Sequence, residues 1–477
     1  MSSPYPYTKY TYIFYLKDQK PRKIPQNLRN LAEKFKNSLN PNFIDILARE
    51  TGFSKRKSKL KPHLFFESLM FAHHLGKSFS LMDLCSDLME EFGLEITKQA
   101  IDDRFNDRAV LFFRRILDRL LSAEFNASND FEGLLSRFNR VRIKDSTKFP
   151  LPKAFAHKYR GNGGGGNGGG SDNCESLISV QYEYDMLSGE TIDLRLTDGL
   201  KNDLSDSRDF TDDICENDLF IRDLGYCSLP YLEKIAGGGA FFLNRLPAKT
   251  VVYAAEDGCE PMDFRKLYAL MNKRKLSHME LDVLVGKKAK LPCRLVIMPV
   301  DNATYEKRIR KATEKGKHYR YKVSQEYRAK SRLNFFITNV DKKDLNTEKI
   351  REVYTLRWQL ELLFKVWKSQ AKIDQIKEMK IERFECQLYS KLIWLLLNWR
   401  IFKWMGNELY KRERILCSIW KFYKYATRLA QKLRMALKDL VQMEKILIKV
   451  LKIAPREFKL EKKKGKLSQN QTFTHLT

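Results

Sequence analysis

Four side chains that could bind or transfer charge, a phenol, a guanidinium, a carboxylate and an ammonium, stand on one stretch, Tyr354-Thr-Leu-Arg357-Trp-Gln-Leu-Glu361-Leu-Leu-Phe-Lys-Val-Trp-Lys368. The stretch is rich in Leu, Trp, Gln, Glu and Lys and has no Gly or Pro, so it reads as a helix. Asn346-Thr347-Glu348 upstream supplies a cap and a first-turn acid. At about 100° per residue, Tyr354, Arg357, Glu361 and Lys368 fall within an arc of roughly 60°. Leu356, Leu360, Leu363, Phe364 and Trp367 cluster on a separate arc. One face packs, and its neighbour carries a phenol, a guanidinium, a carboxylate and an ammonium. Taken alone, this is an amphipathic helix with a salt-bridged surface. Two further acids end apolar runs. Asp145 follows the alternating Val141-Arg-Ile-Lys and opens Asp145-Ser146-Thr147, which alone reads as a turn or a cap. Asp223 closes Asp218-Leu-Phe-Ile-Arg, ahead of Gly225. Carboxylates from separate elements suit hard divalent cations. Two such ions about 4 Å apart can activate a water and neutralise developing negative charge.

The elements that must position these residues follow from periodicity. Strands are expected at 141–145, at 176–184 and 190–196 around the turn Leu187-Ser-Gly189, at 218–223 and at 240–246. Helices are expected in 202–215 and from Leu229. Val251-Val-Tyr, 281–285 and 291–299 read as further strands, Lys307 to Lys330 as a dense basic segment with interleaved tyrosines, and 332–339 as a returning strand. Gly161 to Gly170 formally contains G-x-G-x-x-G. No strand leads into it and no Gly-Lys-Ser/Thr follows, so it is a flexible loop and not a dinucleotide site. Near the N-terminus, Ser80 to Gly93 is a capped helix. A second helix, from Thr97 to Arg108, exposes Lys98, Gln99 and Arg104. The pair resembles a helix-turn-helix and equally fits two helices of a bundle.

Composition narrows the partners. The formal charge is +29, with Lys+Arg 88 against Asp+Glu 59, which favours a polyanion. From residue 371 on, 25 basic residues face 10 acidic ones, about half the excess. None of the eight cysteines forms a CxxC pair, so neither a zinc site nor a disulfide framework is indicated. The longest apolar run, Leu392 to Leu397, is too short to span a bilayer. A soluble, cytoplasmic, nucleoid-associated protein without membrane contact is expected.

The spacing Y-x2-R-x3-E-x6-K resembles, residue for residue, the Y-R-E-K signature of the DDE transposases of the "insertion sequence four" family. Asp145-Ser-Thr and Arg222-Asp223-x-Gly fit the same pattern. The resemblance implies an α/β (α+β) ribonuclease-H-like catalytic domain in which Asp145, Asp223 and Glu361 are the catalytic, metal-binding acids. Two Mg²⁺ ions are implied, with Mn²⁺ able to substitute. Tyr354, Arg357 and Lys368 are then expected at DNA, Arg245 is a basic residue after the fifth strand that contacts it, and Lys98, Gln99 and Arg104 take part in recognising the element's ends. The implied activity is cut-and-paste transposition by end cleavage, hairpin formation and strand transfer. It would act on inverted-repeat ends and target DNA, as a homodimer. The expected organisation is a helical DNA-binding domain (1–137), a catalytic domain (138–245 and 334–375), a β-rich insertion (246–333) and a basic helical domain with a disordered tail (376–477). Two rivals remain open: a domesticated or inactive transposase-derived DNA-binding protein, and a nuclease that cuts without strand transfer.

Overall fold

In the computed structural model the described residues are 26–72, 80–122, 133–161, 175–201, 203–209, 213–247, 249–256 and 260–461. Most of the glycine run, the first 25 residues and the C-terminal tail lie outside them. Nine strands form one mixed sheet: β1 (Val141–Pro150), β2 (Leu177–Asp185), β3 (Thr191–Asp198), β4 (Leu219–Arg222), β5 (Phe241–Arg245), β6 (Val252–Ala254), β7 (Met279–Val285), β8 (Leu291–Pro299) and β9 (Leu333–Thr338). Their order is β3-β2-β1-β4-β5-β9-β8-β7-β6. The first five strands run 3-2-1-4-5, with β1, β2 and β3 antiparallel and β1, β4 and β5 parallel. Asp145 thus lies on the first strand and Asp223 directly after the fourth, within the α/β sheet expected of a ribonuclease-H-like core. Strands β6 to β8, which lie within the expected insertion, continue this sheet beyond β9 through antiparallel pairs.

Two apolar layers cover the sheet. Val141, Ile143, Leu219 and Ile221 share one core with the N-terminal helices, the helix Trp358–Gln370 and the C-terminal helices. Phe220, Phe242, Leu295 and Ile337 face the other way, into a core with the helices Leu229–Gly237 and Phe264–Lys273. The N-terminal helices therefore have no core of their own. Arg434, on the helix Ile419–Ala436, is 1% exposed and ion-paired with Glu67 and Asp87 of the N-terminal helices. The 33-residue helix Ile381–Glu413 runs through the same core. Its apolar character alone does not make it a membrane span: among the described residues, no helix is long and apolar enough to cross a membrane.

Two expected helices divide. The stretch from Thr347 to Gln370 is the helix Thr347–Thr355 followed by the helix Trp358–Gln370. Between them Leu356, Arg357, Gln359 and Leu360 make i→i−3 bonds, the tighter 3₁₀ pattern. Near the N-terminus, Leu81–Phe92 has the expected cap, with Ser80 and Asp83 forming a capping box and Gly93 left-handed at φ 61°. The second helix of the expected pair is only Lys98–Asp102. Asn106 then accepts from the amides of Arg108 and Ala109 and starts a new helix, Asp107–Ser122. A helix of five residues is too short to fill a major groove as a recognition helix does, so the helix-turn-helix expectation is corrected.

Candidate active site

Strand register brings the first two acids together. Val141 pairs with Leu219 and Ile143 with Ile221 in parallel, and the pairing stops there. Asp145 and Asp223 each lie two residues beyond the last of these pairs. Alternation puts both on the face that carries Ile143 and Ile221. They therefore stand side by side at the carboxyl edge, where parallel strands of α/β folds place their ligand sites. Over that face passes the Leu356–Arg357 turn, and Glu361 follows one helical turn later.

All three acids meet one guanidinium. Arg357 Nη1 is 2.5 Å from Asp145 Oδ2, its Nη2 2.7 Å from Glu361 Oε1 and its Nε 3.8 Å from Asp223 Oδ1. The Arg357 side chain is 7% exposed, against 16% for Asp145, 39% for Asp223 and 51% for Glu361, so the cluster opens to solvent on the side of Asp223 and Glu361. Burial pushes the Asp145 carboxyl up to about 6, against the pull of Arg357 and of the Ser146 amide, which donates to its Oδ1 (2.8 Å). Arg357 is held above its ordinary range by these carboxylates, although burial opposes the charge.

Each remaining expected site residue has a definite partner or setting. The Tyr354 hydroxyl donates to Asp223 Oδ1 (2.8 Å), and its ring is buried against Phe336. Burial and the Asp223 charge push the phenol's pKa up, so Tyr354 holds Asp223 as a neutral donor. It is not free to stack on a base. Lys368 Nζ donates to the Lys148 carbonyl of β1 (2.9 Å). Arg245 reaches Asn334 of β9 (3.3 Å), while its buried Nε has no acceptor among the described residues. Lys98 and Gln99 are exposed, Gln99 bonding Asp103 (2.8 Å). Arg104 bonds Ser58, and burial lowers its pKa. These three stand apart from the acids.

The residues that sequence reasoning missed lie on the opposite face of β1. Arg142, Lys144, Glu183 and Arg222 form a buried ionic layer there, with Glu183 at 2.7 Å from Arg142 and 2.6 Å from Arg222. The nearby guanidinium and ammonium groups hold the Glu183 carboxyl far below its usual range, despite complete burial. The signal was present in Arg142-x-Lys144 and Arg222, charges at the inward positions of strands. Among the described residues no three His, Cys, Asp or Glu side chains are close enough together to share one ion. The triad faces a guanidinium, and its carboxylates do not face one another. The donor set itself, three carboxylates from three elements at an open edge, suits a hard cation such as Mg²⁺.

Comparisons with known proteins find relatives of this chain. Residues 136–397 match the family described as "Transposase DDE domain". The chain is 31% identical to the transposase for insertion sequence element IS231F of Bacillus thuringiensis subsp. israelensis, over 82% of this chain and 84% of that one. It is likewise 31% identical to the transposase for insertion sequence element IS1151 of Clostridium perfringens, over 78% and 80%. A piggyBac transposase synaptic complex with hairpin DNA aligns over 94% of this chain and 89% of that one, at 9% identity and a TM-score of 0.44. The chain belongs to the DDE transposase family, enzymes that cleave DNA and transfer strands, and within it to the transposases of bacterial insertion sequence elements.

Proposed function

We propose that the protein excises its insertion element and joins it to new DNA by cut-and-paste transposition, with Asp145, Asp223 and Glu361 as the catalytic acids. The observation that carries this reading is the convergence of the three carboxylates, from β1, the end of β4 and a later helix, on one positive charge. DDE transposases generally use divalent metal ions. Here the acids would hold two Mg²⁺ ions, which when bound supply water activation and neutralise charge on the reacting phosphate. Tyr354 fixes the rotamer of Asp223, and the Ser146 amide fixes that of Asp145. Arg357 competes for the same carboxylate oxygens as any cation, so ion loading requires the guanidinium to give up part of its hold. A DNA phosphate is the matching acceptor, since Arg binds phosphate bidentately.

DNA is bound mainly through phosphates. The helix Asn302–His318, the segment after it and the helix Gln325–Ser331 expose Lys307, Arg310, Lys311, Lys315, Lys317, Arg320 and Lys322 beside exposed Tyr319, Tyr321 and Tyr327. Lys98, Gln99 and Arg104 contribute to the choice of element ends, and Arg245 and Lys368 act near the reacting strand. Cutting and joining two ends together calls for a homodimer on DNA. The four-part domain division is kept as a functional one, for the cores run across its boundaries.

The test is a product assay on linear DNA carrying one end of the element, with Mg²⁺ and an unrelated target. Nicked, then hairpin, then joined products are expected in that order. Nicking with no hairpin or joined product would make the protein a nuclease. Specific binding with no cleavage would make it a DNA-binding derivative.

A further inference from the structure

A fourth carboxylate, Asp203, stands at this edge on the other side of β1, outside every motif of the sequence. It opens the helix Asp203–Asp209. One turn later on the same helix, Asp206 is fully buried and ion-paired with Lys144 (2.6 Å) and Arg195 (2.9 Å). Lys144 immediately precedes Asp145 in β1. The helix is therefore pinned beneath the strand that carries the first catalytic acid, and its first turn is held at the strand's working end. There Asp203 Oδ1 accepts from the Ser146 hydroxyl (2.9 Å). Its Oδ2 would lie 2.9 Å from a Cβ at position 225, so Gly225 in Arg222-Asp223-x-Gly leaves room for this carboxylate. The contrast with Asp206 is in compensation. Asp206 has two cations, whereas among the described residues Asp203 has no ion-pair partner, only a neutral hydroxyl. A partly buried carboxylate left without a cation is costly unless a cation arrives from elsewhere.

We infer that Asp203 is a positioning residue of the active site, whose fixed negative charge behind Asp145 strengthens the site's hold on divalent cations. The inference rests on the reading of Asp145, Asp223 and Glu361 as the ion-holding acids. The simpler role, anchoring Ser146 by a hydrogen bond, is separable from it. Asp203→Asn keeps an acceptor for Ser146 and removes the charge. Ser146→Ala removes the hydrogen bond and keeps the charge. Asp203→Ala removes both.

The measurement is a Mn²⁺ titration of the full-length chain bound to duplex DNA, followed by calorimetry or by the Mn²⁺ electron paramagnetic resonance signal. Thermal melting in metal-free buffer serves as the folding control. Asp203→Asn and Asp203→Ala should weaken Mn²⁺ binding alike, by about tenfold or more, as changes to residues behind a ligand commonly do. Ser146→Ala, which keeps the backbone amide that holds Asp145, should weaken Mn²⁺ binding less than Asp203→Asn does. Unchanged Mn²⁺ affinity in Asp203→Asn overturns the inference. So does a loss shared by Asp203→Ala and Ser146→Ala but not by Asp203→Asn, which assigns the effect to the hydrogen bond. Failure of the underlying reading looks different: Asp145→Asn would then leave the titration unchanged as well.

Discussion

Arg357 is the residue on which the site's electrostatics turn. It is nearly buried, and its charge is matched against three carboxylates, two of them at hydrogen-bond distance. Replacing it with Ala leaves Asp145 buried with its principal counter-charge gone. The remaining acids then repel one another, and a divalent cation meets no competitor for their oxygens. Mn²⁺ should bind Arg357→Ala more tightly than wild type in the absence of DNA, whereas strand transfer should fall by at least about tenfold, the scale typical of lost phosphate positioning. Weaker Mn²⁺ binding in Arg357→Ala would mean that the guanidinium organises the acids and does not compete for them. A second residue-scale test concerns stability. Burial pulls the Lys391 ammonium down to about 8, although Asp374 pulls it up, and Nζ donates to the Lys372 carbonyl (2.9 Å). An unfolded lysine titrates near 10.4. Below about pH 8 the folded chain must keep this charge buried, and the penalty fades as pH rises from there toward the unfolded value. At about 1.4 kcal/mol per pKa unit the penalty is roughly 3 kcal/mol at neutral pH, offset by about 1 kcal/mol for the hydrogen bond. Lys391→Met should therefore raise the melting temperature at pH 7, and the gain should shrink by pH 10. An equal gain at both pH values would attribute it to packing.

At the scale of elements, what was legible in the sequence was period and termination. Alternation ending on Asp145, the short apolar run ending on Asp223 and the leucine-rich arc beside Glu361 each placed an acid on the right element. The succession of strands and helices was legible too, whereas the 3-2-1-4-5 order is seen only in the sheet itself. What a helix face meets was not legible. The arc holding Tyr354, Arg357, Glu361 and Lys368 reads the same whether it looks at DNA or at the sheet, and only the packing of the Leu356–Arg357 turn over Asp145 and Asp223 turns Arg357 inward. Nor was the break at Asp103–Asn106 legible, because Asn106 caps a new helix in a run whose composition is helical throughout. The acid-rich stretch 202–215 read as a polar helix, since one-dimensional spacing does not tell buried Asp206 from Asp203 at the site. Docking between elements carries its own prediction. Arg434 ties the helix Ile419–Ala436 to Glu67 and Asp87 from within the core. Removing one partner of a buried pair strands the other charges, at about 3 kcal/mol or more. Arg434→Ala should lower the urea midpoint accordingly without changing the denaturant slope. A shift under about 0.5 kcal/mol, the usual surface value, would show that the helices dock by apolar contact alone.

At the scale of the whole molecule, one continuous sheet carries both the acid cluster and the strands that hold the basic helices. Because β6 to β9 are part of the sheet that holds Asp145 and Asp223, the helices Asn302–His318 and Gln325–Ser331 have a fixed relation to the acids through backbone hydrogen bonds. Phosphate contacts made there can position a strand at the site. Replacing Lys311, Lys315 and Lys317 together by Ala should reduce the slope of log affinity against log salt by about 0.9 for each lost contact on duplex DNA, and equally on end and random sequences. An unchanged slope would remove this face from the DNA path.

The central claim is that the three carboxylates gathered at Arg357 are the reaction centre, and its most direct test is to neutralise each without changing its shape. Asp145→Asn, Asp223→Asn and Glu361→Gln should each retain binding to end DNA while nicking in Mg²⁺ falls by about a thousandfold or more, below detection in a gel assay of nicked, hairpin and joined products. Nicking near the wild-type rate in any one of the three, with the protein folded and bound, would contradict the assignment of that acid and with it the site described here.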